Sequence, residues 1–208
     1  MFQHKDKMMI RKFLEETMEI HDAAILHTLL AQFRFRTVPQ GEQVLCMGQR
    51  SPTVPILWEG LCRGYTVQPD GKDVTDCFCH QRGCILLGTV PLGEPSDINI
   101  EALTDSTLLE LRLEDLNHLM QYPAMNHAVQ LCLFNALQLH RELKTILNQH
   151  TAEERYQWFL DNYPGLIDLV RKRHVASFLG LTPESLSRVR RYFLEPAGQA
   201  KQTVLKRA

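Results

Sequence analysis

The chain has 208 residues and a formal net charge of −1, with 44% hydrophobic and 23% charged residues. This length allows one large domain or two small ones with packed cores, and the composition is that of an ordinary globular protein. No apolar run approaches the ~18 residues of a membrane span, and the N-terminus (MFQHKDKMMIRKF) is too charged for a signal peptide, so we expect no membrane association and a cytoplasmic location.

In chain order, helical sequence precedes short strands. Apolar residues recur at helical spacing over 11–33, and Pro39 and Gly41 close the region. From 37 to about 112 the period is that of strands, with a hairpin turn at QPDGKD (68–73). The apolar stretches are QVLCM, PILWEG, RGYTVQ, VTDCFC, CILLG and TLLELRL. This spacing predicts an antiparallel sandwich or barrel.

Six cysteines stand at positions 46, 62, 77, 79, 84 and 132, without a C-x-x-C pair. In a strand, Cys77 and Cys79 share one face and His80 points to the other, which is poor geometry for a metal site. We therefore expect reduced thiols that pack as small apolar side chains, and no metal. A cysteine-based redox or small-molecule sensor is the alternative. A cupin-type enzyme is a weaker one, because it needs several histidines and this stretch has only His80, so we predict no catalytic residues.

A long helix is predicted from Met125 to Asn148. Apolar or small residues recur on one face at steps of three and four, and further apolar residues cover a second face. One face can pack on the β body and the other on the same helix of a second copy, which predicts a homodimer. The alternative is a helix buried within its own subunit.

The sequence after 150 predicts a small basic helical module. Thr151 and Glu154 form a capping box that starts a new helix. From 171 onward the chain has nine Lys or Arg against two Glu, a net of +7 that leaves −8 for residues 1–170. This concentration of positive charge is typical of a segment that binds a polyanion.

Within this module, RHVASFLGLTPESLSRVRRYF (173–193) predicts a helix-turn-helix. Gly180 allows the turn, while Thr182 and Pro183 start the second helix. That helix has an apolar face and a polar one; the polar face carries Glu184, Ser187, Arg188 and Arg191. Glu184, Ser187 and Arg188 suit base edges, whereas Arg190 and Arg191 suit phosphates. The predicted partner is double-stranded DNA. A membrane-surface or partner-binding helix has a similar amphipathic pattern, but the preceding helix and the turn favour DNA.

The order of these elements resembles the CRP/FNR class of bacterial transcription regulators over nearly the whole chain. VASFLGLTPESLSRVRR carries most of the resemblance, and the stretch from TVPQGEQ to PDGKDV is similar to the family's effector-binding β-roll. It implies an α+β fold with an N-terminal antiparallel, jelly-roll-like β-roll and flanking helices (1–120), a dimerisation helix and hinge (121–150) and a helix-turn-helix domain (151–208). It also implies that Glu184, Ser187 and Arg188 read TTGA-like half-sites of an inverted repeat, that a small effector binds in the β-roll, and that RNA polymerase is a partner.

Three departures from the family restrict what the resemblance implies. The phosphate cassette aligns with Gly88, Thr89, Ser96 and Asp97, but its Arg is missing and Asp97 would repel an anion, so we expect no usual cyclic AMP binding and no other cofactor. The N-terminal cysteines that hold an iron–sulfur cluster are also missing, and nothing supports a haem. Only 15 residues follow Phe193, so the wing hairpin is expected to be reduced or absent, with basic residues at 201, 206 and 207 contacting phosphates instead.

Overall fold

The computed structural model describes residues 4–194 and contains eight helices and seven strands over that range. The helices are α1 (His4–Glu16), α2 (Ala23–Gln32), α3 (Leu113–Leu119), α4 (Pro123–Gln149), α5 (Ala152–Asn162), α6 (Leu166–Leu169), α7 (Lys172–Phe178) and α8 (Pro183–Leu194). The strands are β1 (Arg34–Val38), β2 (Gln43–Leu45), β3 (Thr53–Glu59), β4 (Cys62–Val67), β5 (Asp73–Cys79), β6 (Asn99–Ala102) and β7 (Ser106–Arg112). No helix in this range is long and apolar enough to cross a membrane.

The contacts divide the chain into two compact units. The first, here called the roll unit, comprises residues 1–66 and 77–137, and the second, the helical unit, comprises 67–76 and the chain from 138 onward. The cut falls within α4 and within the β4–β5 hairpin.

In the roll unit, two antiparallel sheets enclose an apolar core. One has the strand order β1-β7-β3 and the other β2-β6-β4-β5. Alternating side chains of β3 and β7 divide between two buried clusters, since Leu57 and Leu108 pack in the roll, whereas Ile56 and Leu109 pack against the helical layer. The helical layer is made by α1, α2, α3 and the start of α4. The α+β fold with a jelly-roll-like β-roll is thereby confirmed.

Several boundaries differ from the sequence prediction. The helical region 11–33 is two helices, because Asp22 accepts hydrogen bonds from the N–H groups of Ala24 and Ile25 and starts α2 afresh. Strand β1 begins at Arg34, and β6 was not predicted. The stretch CILLG is not a strand; it makes a single bridge, between Ile85 and Ile56. The hairpin turn is as predicted, with Gly71 at φ +81°.

In the helical unit, aromatic side chains form much of the core. Phe159 and Phe178 lie 6.0 Å apart between ring centroids, and Tyr163 contacts both. Tyr156 of α5 meets Phe193 of α8 edge-to-face at 5.2 Å. Helix α8 therefore packs on α5 as well as on α7. The region after α8, where the wing hairpin is expected to be reduced or absent, lies outside the described residues, as do the basic residues at 201, 206 and 207.

Candidate nucleic-acid interface and effector pocket

Helix α8 places the predicted base-reading residues on one exposed face. Thr182 caps the helix, because its hydroxyl accepts a hydrogen bond from Ser185 N at 3.1 Å. The inner face buries Leu186, Val189 and Phe193. A shallow concavity on the outer face is lined by Pro183, Glu184, Ser187, Arg188 and Arg191. All five are exposed, so a continuous polar surface of acid, hydroxyl and guanidinium groups faces outward.

The carboxylate of Glu184 is held in its ionised form at the start of α8. Its own backbone N–H and then the Thr182 hydroxyl donate hydrogen bonds to it, which lowers its pKa. At neutral pH this side chain is therefore a hydrogen-bond acceptor only, which is the property needed to accept from cytosine N4.

Arg190 does not share this outer face. Its side chain is half-buried, and Nη2 lies 3.2 Å from Asp168 Oδ1 of α6. The two arginines assigned to phosphate thus have different surroundings: Arg191 lines the outer concavity, and Arg190 makes an ion pair within the module.

The turn before α8 is held by a residue that sequence reasoning missed. Gly180 adopts φ +63°, and Leu181 N donates to Ala176 O at 2.8 Å. Arg155 of α5 donates from Nη1 to Leu179 O at 3.2 Å and from Nε to His150 O at 3.0 Å. One guanidinium therefore ties the end of α7 to the α4–α5 junction. A positive charge near the N-terminus of a helix interacts unfavourably with the helix dipole. An arginine in the first turns of α5 is therefore a sequence signal that its side chain has another function, such as bonding to backbone carbonyl groups.

The four predicted effector residues lie together in the roll unit, and their polar groups are hydrogen-bonded to one another or to neighbouring backbone. Asp97 N donates to Gly88 O at 2.8 Å, and the Thr89 hydroxyl donates to Asp97 Oδ2 at 2.9 Å. Ser96 is buried, and its hydroxyl donates to Ile98 O at 2.6 Å. A Cβ at Gly88 would lie 2.2 Å from Ser96 Oγ, so the two segments are in close contact. The cavity beside them is only about 30 Å³.

A guanidinium reaches this loop from elsewhere in the sequence. Arg50 donates to Gly93 O at 2.5 Å, and its Nη2 lies 2.9 Å from Glu94 Oε2. The cassette itself contains no Arg, and the nearby Arg50 is paired with the Glu94 carboxylate in a surface ion pair whose side chains are 61% and 52% exposed.

A second cavity in the roll unit is wholly apolar. It measures about 60 Å³ and is walled by the helical layer and by strands β3 and β7. Its lining includes Phe13, Met18, Val54, Leu111, Met125 and Cys132. Such a lining suits a small apolar molecule and offers no partner to a charged one.

Helix α4 buries little of its surface within the described chain. Of its 27 residues only Met125 and Ala128 are fully buried. Phe134 is 57% exposed and Leu137 is 55% exposed. The alternative of a helix buried within its own subunit is therefore wrong, and an apolar stripe is left on the outer side of α4.

Within residues 4–194, no group of three or more His, Cys, Asp or Glu side chains is placed to hold a metal ion. The six cysteines are all free thiols, of which Cys62 and Cys79 are buried.

Comparison with known proteins identifies a family match for one part of the chain. Residues 35–122 match the cyclic nucleotide-binding domain family. The regulatory protein HlyX of Actinobacillus pleuropneumoniae is 22% identical over 186 residues, which cover 83% of this chain and 76% of HlyX.

Two solved structures illustrate the shared fold. FixK2 from Bradyrhizobium japonicum superposes with a TM-score of 0.66 at 20% identity, covering 77% of this chain and 84% of FixK2. A structure from Eubacterium rectale, described as that of a crp/fnr-family transcriptional regulator, superposes with a TM-score of 0.69 at 15% identity, covering 90% of this chain and 95% of the other.

Proposed function

We propose that this CRP/FNR-family protein is a transcription regulator that binds specific DNA sequences as a homodimer. The premise is its similarity to the cyclic nucleotide-binding domain family and to CRP/FNR regulators. The observation that carries the proposal is the outer face of α8, where Glu184, Ser187 and Arg188 are exposed together. Each recognition helix reads one TTGA-like half-site of an inverted repeat, and RNA polymerase is the partner that the family implies.

The chemistry of this face supports a division between base and phosphate contacts. Arg188 is suited to a bidentate pair with guanine O6 and N7, and ionised Glu184 accepts from cytosine N4. Arg191, one turn further on, supplies a charge for the DNA backbone. Because Arg190 is paired with Asp168, we propose that its main role is to hold α8 against α6 and that a phosphate contact is secondary.

The second half of the proposal is the dimer. Phe134 and Leu137 leave an apolar stripe on α4, and a second copy of the same helix buries it by symmetry. Two half-sites with centres about 34–36 Å apart then face the two recognition helices.

Selection of bound sites from random DNA at fixed salt tests the whole proposal. We expect an enriched inverted repeat from the wild-type chain, and we expect the half-site preference to be lost when Arg188 is replaced by Ala. A recovered motif without twofold symmetry would contradict the dimer. A motif that is unchanged by Arg188→Ala would contradict the reading face.

We further propose that cyclic AMP does not regulate this protein. The polar groups of Gly88, Thr89, Ser96 and Asp97 already make hydrogen bonds within the protein, so they are not free to bind a phosphate. The cavity beside them is about 30 Å³. The small effector implied by the family is better suited to the apolar cavity of the roll unit. Millimolar cyclic AMP should leave the melting temperature and the DNA affinity unchanged, whereas a dose-dependent rise in Tm would contradict this assignment.

A further inference from the structure

The tip of the β4–β5 hairpin belongs to the helical unit, where it contacts α7, the first helix of the helix-turn-helix. Thr75 N donates to Ser177 Oγ at 2.8 Å across 102 positions of sequence. The Ser177 hydroxyl in turn donates to Asp73 O at 3.5 Å. His174 lies one turn earlier on α7, and its Nδ1 is 3.9 Å from Asp73 Oδ2. One face of α7 is therefore bonded to the first residues of β5.

This contact caps the edge of a sheet. Strand β5 is an edge strand of the four-stranded sheet, and an edge strand presents amide groups that no further strand pairs. At Thr75 the Ser177 hydroxyl takes the place of the next strand, because it accepts from the strand's N–H and donates to the strand's carbonyl. A serine hydroxyl can do both at once. Thr75 and His174 are buried, so the hydrogen bonds are not open to water.

The hairpin holds its side of the contact firmly. Gln68 N donates to Lys72 O at 2.8 Å, and Gly71 N donates to Gln68 O at 2.9 Å. Gly71 adopts φ +81°, and Asp70 Oδ1 accepts from Lys72 N at 3.1 Å. Strand β5 begins directly after this turn. The position of the Thr75 amide is therefore set by the backbone of a closed turn.

The other faces of α7 pack within the helix-turn-helix. Val175, Ala176 and Phe178 are buried, and α7 contacts α8. Leu181 N donates to Ala176 O at 2.8 Å, so the turn that leads into α8 is built on α7. A displacement of α7 would therefore displace the start of α8 and the outer face that carries Arg188.

We propose that Ser177 is a positioning residue for DNA reading, and that the hairpin tip (67–76) is a third structural element of the helix-turn-helix. Removing the hydroxyl takes an acceptor from the buried Thr75 amide, which favours arrangements in which α7 has moved away from the hairpin. Those arrangements misplace α8, so the fraction of molecules competent to bind DNA falls. The DNA part of this inference rests on the proposed function, whereas the contact itself can be tested without DNA.

Hydrogen exchange of the free full-length protein tests the contact. Ser177→Ala should speed exchange of the Thr75 amide, followed by NMR, by about 5-fold or more, because a lost hydrogen bond lowers the free energy of local opening. Gln68→Ala is the matched control, since it is a neutral change of an exposed side chain in the same hairpin. It should exchange as wild type does.

An isosteric pair of variants separates the hydroxyl from the shape of the side chain. Ser177→Thr keeps the hydroxyl and should retain slow exchange at Thr75. Ser177→Val has the same shape as the threonine variant but lacks the hydroxyl, so it should exchange as fast as Ser177→Ala. Circular dichroism checks the fold of each variant, and this pair replaces the alanine variant if that variant is unfolded.

Binding kinetics on the selected inverted repeat test the consequence for DNA. A smaller competent fraction lowers the association rate constant, whereas a bound α8 is held by DNA and dissociates as before. We expect Ser177→Ala and Ser177→Val to associate a few-fold more slowly with an unchanged dissociation rate constant. Ser177→Thr should restore the association rate. A role in stability alone would lower Tm and leave both rate constants unchanged.

Two results would overturn the proposal. The first is an exchange rate of the Thr75 amide that does not change in Ser177→Ala or Ser177→Val. The second is faster exchange in these variants together with a wild-type association rate on DNA, which would make Ser177 a structural residue only. If the wild-type chain selected no DNA site, the proposed function and this role of Ser177 would both fail. The exchange measurement would then show that the failure lies in DNA reading and not in the contact.

Discussion

Arg188 and Arg191 are a matched pair of arginines on the outer face of α8. We expect Arg188→Ala to cost about 1–3 kcal/mol on the selected site and to relax the base preference, because a bidentate contact to guanine carries sequence information. Arg191→Ala should weaken all sequences by a similar factor and reduce the salt slope by about one, because a phosphate contact carries none. Binding titrations on specific and random DNA over a range of salt concentrations measure both effects.

The comparison between these two variants contains its own control. Both remove one exposed guanidinium from the same helix, so any effect of net charge is shared. If Arg188→Ala weakened specific and random DNA equally, the assignment of Arg188 to base reading would be wrong.

Arg190 shows what a residue pattern cannot predict. Helical spacing groups residues by face, and it correctly separates Leu186 and Val189, which are buried, from the exposed Glu184 and Ser187. The partner of Arg190 is Asp168, which is 22 positions earlier on α6. Such a pair depends on how two helices pack, and no local signal in the sequence specifies it. For the same reason, the contacts of Arg155 with Leu179 and of Arg50 with Glu94, which are distant in sequence, were not predictable.

At the scale of elements, the start of α5 gives a pH-dependent prediction. Thr151 donates from its backbone N–H at 2.8 Å and from its hydroxyl at 3.1 Å to Glu154, and both bonds lower the pKa of that carboxylate. A carboxylate with a lowered folded-state pKa stabilises the fold above its ordinary value near 4.5, and this stabilisation is lost as the pH falls through the lower folded-state pKa. Glu154→Gln should therefore lower the free energy of unfolding at pH 7, and the difference from wild type should shrink as the pH falls below 4.5.

Urea unfolding at pH 7 and near pH 4 measures this difference. Glu153→Gln is the matched control, because Glu153 lies in the same first turn of α5 but the capping hydrogen bonds go to Glu154. A deficit in Glu154→Gln that stayed constant down to pH 4 would show that the carboxylate charge does not contribute.

The contact of Arg155 with the helix-turn-helix gives a second prediction at this scale. Arg155→Met keeps much of the aliphatic stem but removes the donors to His150 O and Leu179 O. We expect a loss of about 1–3 kcal/mol in unfolding free energy, because each lost bond involved a charged donor. Trp158 belongs to the aromatic core of the helical unit, so its fluorescence in a Trp58→Phe background follows this unit. Arg173→Met, at an exposed position on α7, serves as the control and should leave the transition unchanged.

Elements were predictable where their signals are local. Three features were predicted from residues that are close together in the sequence, and the structure has all three. They are the capping box of α5, the turn at Gly180 and the apolar repeat of α4. Strand β6 was missed, because its residues Asn99–Ala102 follow an irregular loop and are held by β2 and β4 from distant parts of the chain. The opposite error at CILLG has the same cause, since an apolar run becomes a strand only where a neighbour pairs with its whole length.

At the scale of the whole molecule, the exposed apolar side chains of α4 are the main argument for the proposed homodimer. An isolated 27-residue helix is about 40 Å long, and only its first turns are covered by the roll unit's core. Apolar side chains along the remainder would stay in water in a monomer, at a cost of roughly 25 cal/mol per Å² of exposed apolar surface. In the proposed dimer, a symmetric pair of α4 helices would remove that cost for both copies and would join two copies of α8 in one particle.

A double substitution on this helix tests the dimer and its consequence for DNA together. Phe134→Glu with Leu137→Glu places two charges in the expected interface of each copy, which should weaken self-association by about 100-fold or more, because buried unpaired charges are strongly unfavourable. Asn135→Glu is the control, since it adds a charge at an exposed polar position beside Phe134 and should leave the dimer intact. Sedimentation velocity measures the mass, and circular dichroism checks that the fold is kept.

Because a monomer engages one half-site only, the double variant should bind an inverted repeat no more tightly than a single half-site, with a loss of about 10²–10⁴-fold relative to the dimer. If a monomeric variant kept the affinity for the inverted repeat, DNA binding would not depend on dimerisation, and the function proposed for α4 would be wrong.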